Sequence, residues 1–225
     1  MSHLLLIPTE PELRLLRPRL QRLAGDDRAV GQWTVALCGF GLVAAAARTA
    51  MLIAQHRPQQ VLLVGIAGAL RDSAVIGSAY TFERVLCDGI GVGGDADYLA
   101  AAQIGWNQWA SDDPGSTIGD EISLMNDTRA GQTIPGPALL SVCAASAHPR
   151  QAEQRQQRYP EAIAEEMEGF GVAMACKLAG VPLRIVRGIS NHAGNRDLAQ
   201  WQIQDALAAA AELASVLIAA EEDLK

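Results

Sequence analysis

Six apolar runs of strand length, rich in Val, Leu and Ile, recur along the chain: His3 to Ile7, Trp33 to Cys38, Val61 to Val64, Ser78 to Cys87, Ala138 to Cys143 and Leu183 to Ile189. Strands that are apolar on both sides belong to a sheet covered on both faces. Helical periodicity lies between several of them, over Glu12 to Leu23, Leu42 to Gln55, Glu161 to Ala179 and from about Leu198 to Glu221. Alternation of strand and helix predicts an α/β three-layer sandwich, helices on either side of a central mixed sheet. At 225 residues and 49% hydrophobic content the chain can bury one sizeable core, and residues 1–225 are read as one domain. The span Asp88 to Pro137 breaks the rhythm with Gly91, Gly93, Gly94, Asp95, Asp97 and the run from Ser111 to Ser116, and is expected to be surface loops or a lid.

Electrostatics narrows the partners. Eighteen Lys and Arg against 25 Asp and Glu leave a net charge of −7, which disfavours a nucleic-acid partner. The opening MSHLLLIPTE has no basic flank and too short an apolar run for a signal peptide, and no stretch is read as a membrane span. A cytoplasmic location without membrane contact is expected. Cys38, Cys87, Cys143 and Cys176 are dispersed and read as small core residues, and no histidine falls at metal-ligand spacing. No metal and no cofactor are expected.

Five constellations can carry chemistry. Thr9-Glu10-Pro11-Glu12 follows the first strand and opens a helix: a capping box, or a carboxylate facing the crevice at a strand's carboxyl end. Gly39-Phe40-Gly41 with Ala44 imitates a dinucleotide fingerprint, but the next strand ends Gly65-Ile66-Ala67-Gly68 with no acid for a ribose. That glycine-rich end lets backbone amides approach a ligand, or is a simple turn. Glu168 stands alone in the apolar stretch Met167 to Cys176; read as helix, it shares a strip with Ala164, Gly171 and Ala175 and is buried. It therefore needs partners, either inside the protein, with Arg187 a candidate, or on a ligand; Glu165 and Glu166 are expected to be solvated. Finally, Gly188-Ile189-Ser190-Asn191-His192 narrowly misses a nucleophile elbow, and Asn191 and Asp197 are otherwise loop-turning residues.

The order and spacing of Glu12, Gly65 to Gly68, Glu166-Met167-Glu168-Gly169 and Arg187 to Asn191 resemble the nucleoside phosphorylase / nucleosidase family over nearly the whole chain. Tyr159 to Glu168 is similar to the helix of the methylthioadenosine/S-adenosylhomocysteine nucleosidases, and Ile189-Ser190-Asn191 with Gly194, Arg196-Asp197 and Trp201 to the signature of the futalosine hydrolases. The resemblance implies a nucleoside phosphorylase-like fold and cleavage of an N-glycosidic bond. It makes Glu12 the base that activates water and Glu168 the acceptor for the ribose hydroxyls. Met167 lies under the sugar, Ala145 and Ser146 flank the base, Trp201 borders the ligand, and Gly68 and Ser190 line the pocket. Where adenine-specific relatives place an aspartic acid this chain has Asn191, which can accept from N7–H and donate to O6, a pattern that fits a 6-oxopurine. The loop after the first strand lacks the phosphate-binding arginine of the phosphorylases, which favours hydrolysis. The implied substrate is futalosine, the implied assembly a homo-oligomer.

Overall fold

The computed structural model describes residues 2–21, 29–30, 33–94, 97–112, 117–124 and 137–222. The expected helix end at Leu23, Asp95 and much of the anticipated lid lie outside them. Chain order runs β1 (His3–Ile7), α1 (Glu10–Gln21), β2 (Ala29–Val30), β3 (Trp33–Leu37), α2 (Leu42–His56), β4 (Val61–Ala69), β5 (Ala79–Thr81), β6 (Arg84–Asp88), β7 (Gly91–Val92), β8 (Leu99–Ala100) and β9 (Glu121–Ser123). It continues through β10 (Ala138–Val142), α3 (Pro149–Arg158), β11 (Ala162–Glu166), α4 (Gly169–Ala179), β12 (Leu183–His192) and α5 (Ile203–Glu222).

One ten-stranded mixed sheet orders its strands β2-β3-β1-β4-β11-β10-β6-β9, with β12 pairing β4 and β5 beside that path. The neighbours of β1 and the long β4–β12 pair are parallel, whereas β11 meets β4 antiparallel. Alternation along each strand divides the core. Leu4 and Leu6 pack with residues of α2 and α4 on one face, while Leu5 and Ile7 pack with α1 and α5 on the other. The third cluster, Leu86, Leu140, Val142 and Ala162 with Ala152 of α3, sits on that second face farther along the sheet. The three-layer mixed-sheet expectation therefore holds.

Several boundaries differ for physical reasons. The run Ser78 to Cys87 is two strands, β5 and β6, separated at Phe82 and Glu83. The segment expected to be helical from Glu161 starts as β11, because Ala162, Ala164 and the alkyl parts of its neighbours fill a gap in the sheet, and α4 begins only at Gly169. Ala164 therefore shares no helical strip with Glu168, which sits at the N-cap of α4. Helix α3 is polar along most of its length and its single anchoring stripe was not anticipated. Of the cysteines Cys143 is exposed, not core. Helix α5 is long and apolar enough to cross a membrane by length and composition, with mean hydropathy 1.5 over Ile203–Ala220, so the chain does hold such a stretch. Its buried residues Leu207, Ala210, Ala211 and Ala214 pack on the sheet, as a core helix does.

Candidate active site

The carboxyl ends of β1, β4, β11 and β12 open into a cavity of about 340 Å³ lined by Glu12, Gly68, Ala145, Met167, Glu168, Ser190, Asn191 and Trp201 among others. That volume suits a small-molecule ligand. Eight of the nine residues singled out in the sequence thus meet at one place.

Glu12 lies in the first turn of α1 and is 8% exposed. Its carboxylate faces the sheet: Oε1 accepts from the Ile66 amide at 3.1 Å and Oε2 from the Thr9 hydroxyl at 2.5 Å. Thr9 thus serves the carboxylate. Beside it, Gly65 has a specific task. A Cβ added there would lie 2.1 Å from Arg187 Nη1, 2.8 Å from Glu12 Oε1 and 3.1 Å from Pro8 Cδ. Only a residue without a side chain lets the guanidinium and the carboxylate meet over β4.

Arg187, fully buried on β12, joins two acids. Its Nη2 donates in a short contact to Glu166 and at 3.3 Å to Glu168 Oε2, while Nε and Nη1 have no hydrogen-bond partner. Glu166 is saturated, accepting also from Ser141 Oγ–H and from the amides of Glu168 and Gly169 at 2.9 and 2.8 Å. Glu168 receives only the longer arginine contact and the Gly41 amide at 3.1 Å. Burial first, then the neighbouring Glu166 charge, push its carboxyl up to about 7. Glu166 is the charge-balanced anchor, and Glu168 is the acid whose lone pairs are left for a ligand. The glycines of the false dinucleotide turn, Gly39 and Gly41, both have positive φ, and they bring the Gly41 amide to Glu168.

The expectation that Glu165 and Glu166 are solvated is corrected: they are 4% and 5% exposed. Strand β11 points them to opposite faces. Glu165 accepts from the Ser146 amide and hydroxyl at 2.8 and 2.7 Å and from Arg155 Nη1 at 2.9 Å. Arg155 in turn bonds Asp88 at 3.0 Å and the Ala144 carbonyl at 2.7 Å. Ser146 is therefore not a lining residue. It is fully buried and ties the loop carrying Ala145 to this network. Arg155 escaped the sequence reading because it lies on the unanticipated α3; its position three residues before Arg158 on a polar helix carried no signal of burial.

Asn191 belongs to β12, not to a loop beyond it. The register runs from Ile189 opposite Ala67 to Asn191 opposite Gly68, so Ser190 is the extra residue of a bulge. A bulge re-aims side chains, and here both Ser190 and Asn191 line the cavity. As assigned, Asn191 Oδ1 accepts from Ser190 Oγ–H at 2.8 Å, and Nδ2 donates to the carbonyls of His192 at 2.8 Å and Asn195 at 3.4 Å. One lone pair and one weakly engaged N–H remain for a ligand. Trp201 donates from Nε1 to the Asn195 carbonyl at 3.0 Å, which holds its ring at the mouth.

Fold and cleft are those of an α/β sandwich enzyme whose ligand sits at the carboxyl ends of its strands. The model of the phosphorylase superfamily matches residues 129–220. Futalosine hydrolase of Streptomyces coelicolor is 30% identical over 182 residues, 79% of this chain and 74% of that protein. The 5′-methylthioadenosine/S-adenosylhomocysteine nucleosidase of Marinomonas is 26% identical over 210 residues, covering 89% and 87%. The native futalosine hydrolase structure from Helicobacter pylori shares the fold, with TM-score 0.73 over 96% of this chain and 97% of that one at 18% identity. The chain belongs to the nucleoside phosphorylase / nucleosidase family. Within it, it is an N-ribosyl hydrolase.

Proposed function

We propose that the protein hydrolyses the N-glycosidic bond of a 6-oxopurine nucleoside, futalosine in particular, releasing hypoxanthine. The observation that carries this reading is Asn191: an amide, not an acid, stands at the bulge where the base is read. Its remaining acceptor and donor complement N7–H and O6. Gly68 opposite leaves room for the base, and Ala145, held through Ser146, Arg155 and Glu165, flanks it. Met167 lies under the sugar, and Glu168 takes the ribose hydroxyls. As positive charge builds in the oxocarbenium-like transition state, a buried carboxylate anchoring those hydroxyls gains interaction.

Glu12 is the base that activates water. The free Nη1 donor of Arg187 and Glu12 Oε1 share the space over Gly65, a setting in which one water is held by a donor while the carboxylate takes its proton. The loop between β1 and α1, Pro8-Thr9, supplies no cation for phosphate. Val43, Ala47 and Met51, exposed at successive turns of α2 beside Phe40, support a homo-oligomer that buries this apolar stripe. Incubation with futalosine, inosine and methylthioadenosine, with and without phosphate, followed by chromatography of the released base, tests the reading. Release of hypoxanthine from futalosine without phosphate is expected. Phosphate-dependent turnover would make the protein a purine nucleoside phosphorylase, and tight binding without turnover a nucleoside-binding protein.

A further inference from the structure

Two neighbouring acids of β11 divide the cavity wall between two arginines. Glu166 faces Arg187, and that pair lies beside Glu168. Glu165 turns to the opposite face and meets Arg155, which enters from α3 and is 6% exposed. Arg155 does not line the cavity, so it can act on a ligand only through what it holds.

What it holds is the loop after β10. Every nitrogen of the guanidinium is engaged: Nε donates to Asp88 at 3.0 Å, Nη1 to Ser146 Oγ at 2.7 Å and to Glu165 at 2.9 Å, and Nη2 to the Ala144 carbonyl at 2.7 Å. Asp88 is itself fixed by Arg158 at 2.9 Å and by the Tyr159 hydroxyl at 3.1 Å. Ala145 is therefore gripped from both sides, through the Ala144 carbonyl by Arg155 and through the Ser146 amide by Glu165 at 2.8 Å. The loop has little packing of its own, since Cys143, Ala144 and Ala147 are exposed. Ala145 lines the cavity, and its own N–H and carbonyl make no hydrogen bond among the described residues. The planar fork of an arginine can join β6, β11 and this loop at once; the single ammonium of a lysine cannot.

We infer, on the nucleosidase reading above, that Arg155 is a positioning residue: it fixes the wall on which the base rests and so sets purine affinity, while Glu168, Glu166 and Arg187 serve the bond-breaking step. A loop left to itself would have to be ordered each time a base binds, which weakens binding; a loop pinned beforehand does not. The wall meets the base alike before and during cleavage, and such uniform binding alters KM and leaves kcat in place.

The test compares the parent with Arg155→Lys and Ser146→Ala. Lysine keeps the charge between Asp88 and Glu165 but gives up the span, and the alanine variant removes one strut with every charge still paired, so it reports even if the lysine variant fails to fold. Hypoxanthine affinity by calorimetry, kcat and KM for the nucleoside that the parent cleaves, and hydrogen exchange of the Cys143 to Ala147 amides are measured. Arg155→Lys should weaken hypoxanthine binding and raise KM together, by about tenfold, the size of one misaligned hydrogen bond, with kcat held within about threefold. Ser146→Ala should shift both in the same direction by less. Exchange should quicken in the loop and stay parent-like in α4. Folded variants with the parent's hypoxanthine affinity and KM, or a fall in kcat at constant KM, overturn the inference. A parent that binds no purine and cleaves no nucleoside would remove the proposed reaction instead; loop exchange needs no ligand, and exchange unchanged in both variants would then show that Arg155 does not hold the wall.

Discussion

Replacing Glu168 with glutamine isolates the cost of keeping a second carboxylate beside Glu166. The carboxyl titrates at about 7 in the folded protein against an ordinary 4.5, raised by burial and then by Glu166. Below pH 4.5 it is protonated both folded and unfolded, and it has no influence on stability. Between 4.5 and 7 the folded protein holds a proton that the unfolded chain has released, so stability falls as pH rises, and above 7 the full penalty applies. A displacement of 2.5 pH units at 1.36 kcal/mol each is about 3 kcal/mol. Glutamine carries no such penalty, and its weaker bonds to the Gly41 amide and Arg187 add an offset that does not vary with pH. The stability of Glu168→Gln relative to the parent should therefore climb by about 3 kcal/mol between pH 4.5 and 8, while turnover falls by about 10² or more through loss of the ribose anchor. Urea unfolding followed by tryptophan fluorescence at several pH values measures the first, steady-state release of base the second. A parent-to-variant difference that is flat across this pH range would show that Glu166 and Arg187 leave no excess charge on Glu168. Normal turnover by the folded variant would make Glu168 a purely internal partner.

Glu12→Gln should slow base release by about 10² or more while costing about 1 kcal/mol, because the amide still accepts from Ile66; a near-normal rate would leave Glu12 as a helix-terminus residue only. Asn191→Asp should raise the ratio of specificity constants for 6-amino over 6-oxo versions of one nucleoside by roughly tenfold, since O6 loses a donor and an exocyclic amine gains an acceptor. An unchanged ratio would mean that Asn191 does not read the base. Gly65→Ala should destabilise the fold by about 1 to 3 kcal/mol by thermal or urea unfolding and depress turnover further than Glu168→Gln, since the new methyl group displaces both Arg187 and Glu12. Parent-like activity in that variant would refute the close meeting of the two groups over β4.

Hydrophobic patterning alone was enough to announce a sheet covered on both faces, because β1 and β4 are apolar at consecutive positions, β12 carries Leu183, Ile185, Val186 and Ile189, and both sides of these strands meet helices. It also exposed Glu168, since a lone acid in an apolar stretch is visible without coordinates. It could not tell β11 from a helix: Ala162-Ile163-Ala164-Glu165-Glu166 has good helix formers, and only the place between β4 and β10 makes it a strand. That choice decides which acids are buried, for it turns Glu165 and Glu166 to opposite sides and gives each an arginine. Those arginines come from α3 and β12, the farther one 21 residues from its glutamate. The bulge at Ser190 likewise depends on the partner strand, because a one-residue excess exists only relative to Ala67 and Gly68. Local sequence determined which residues could not be solvated freely; pairing across the sheet decided which of them share a guanidinium or the wall of the cavity, because burial and charge balance depend on neighbours distant in sequence.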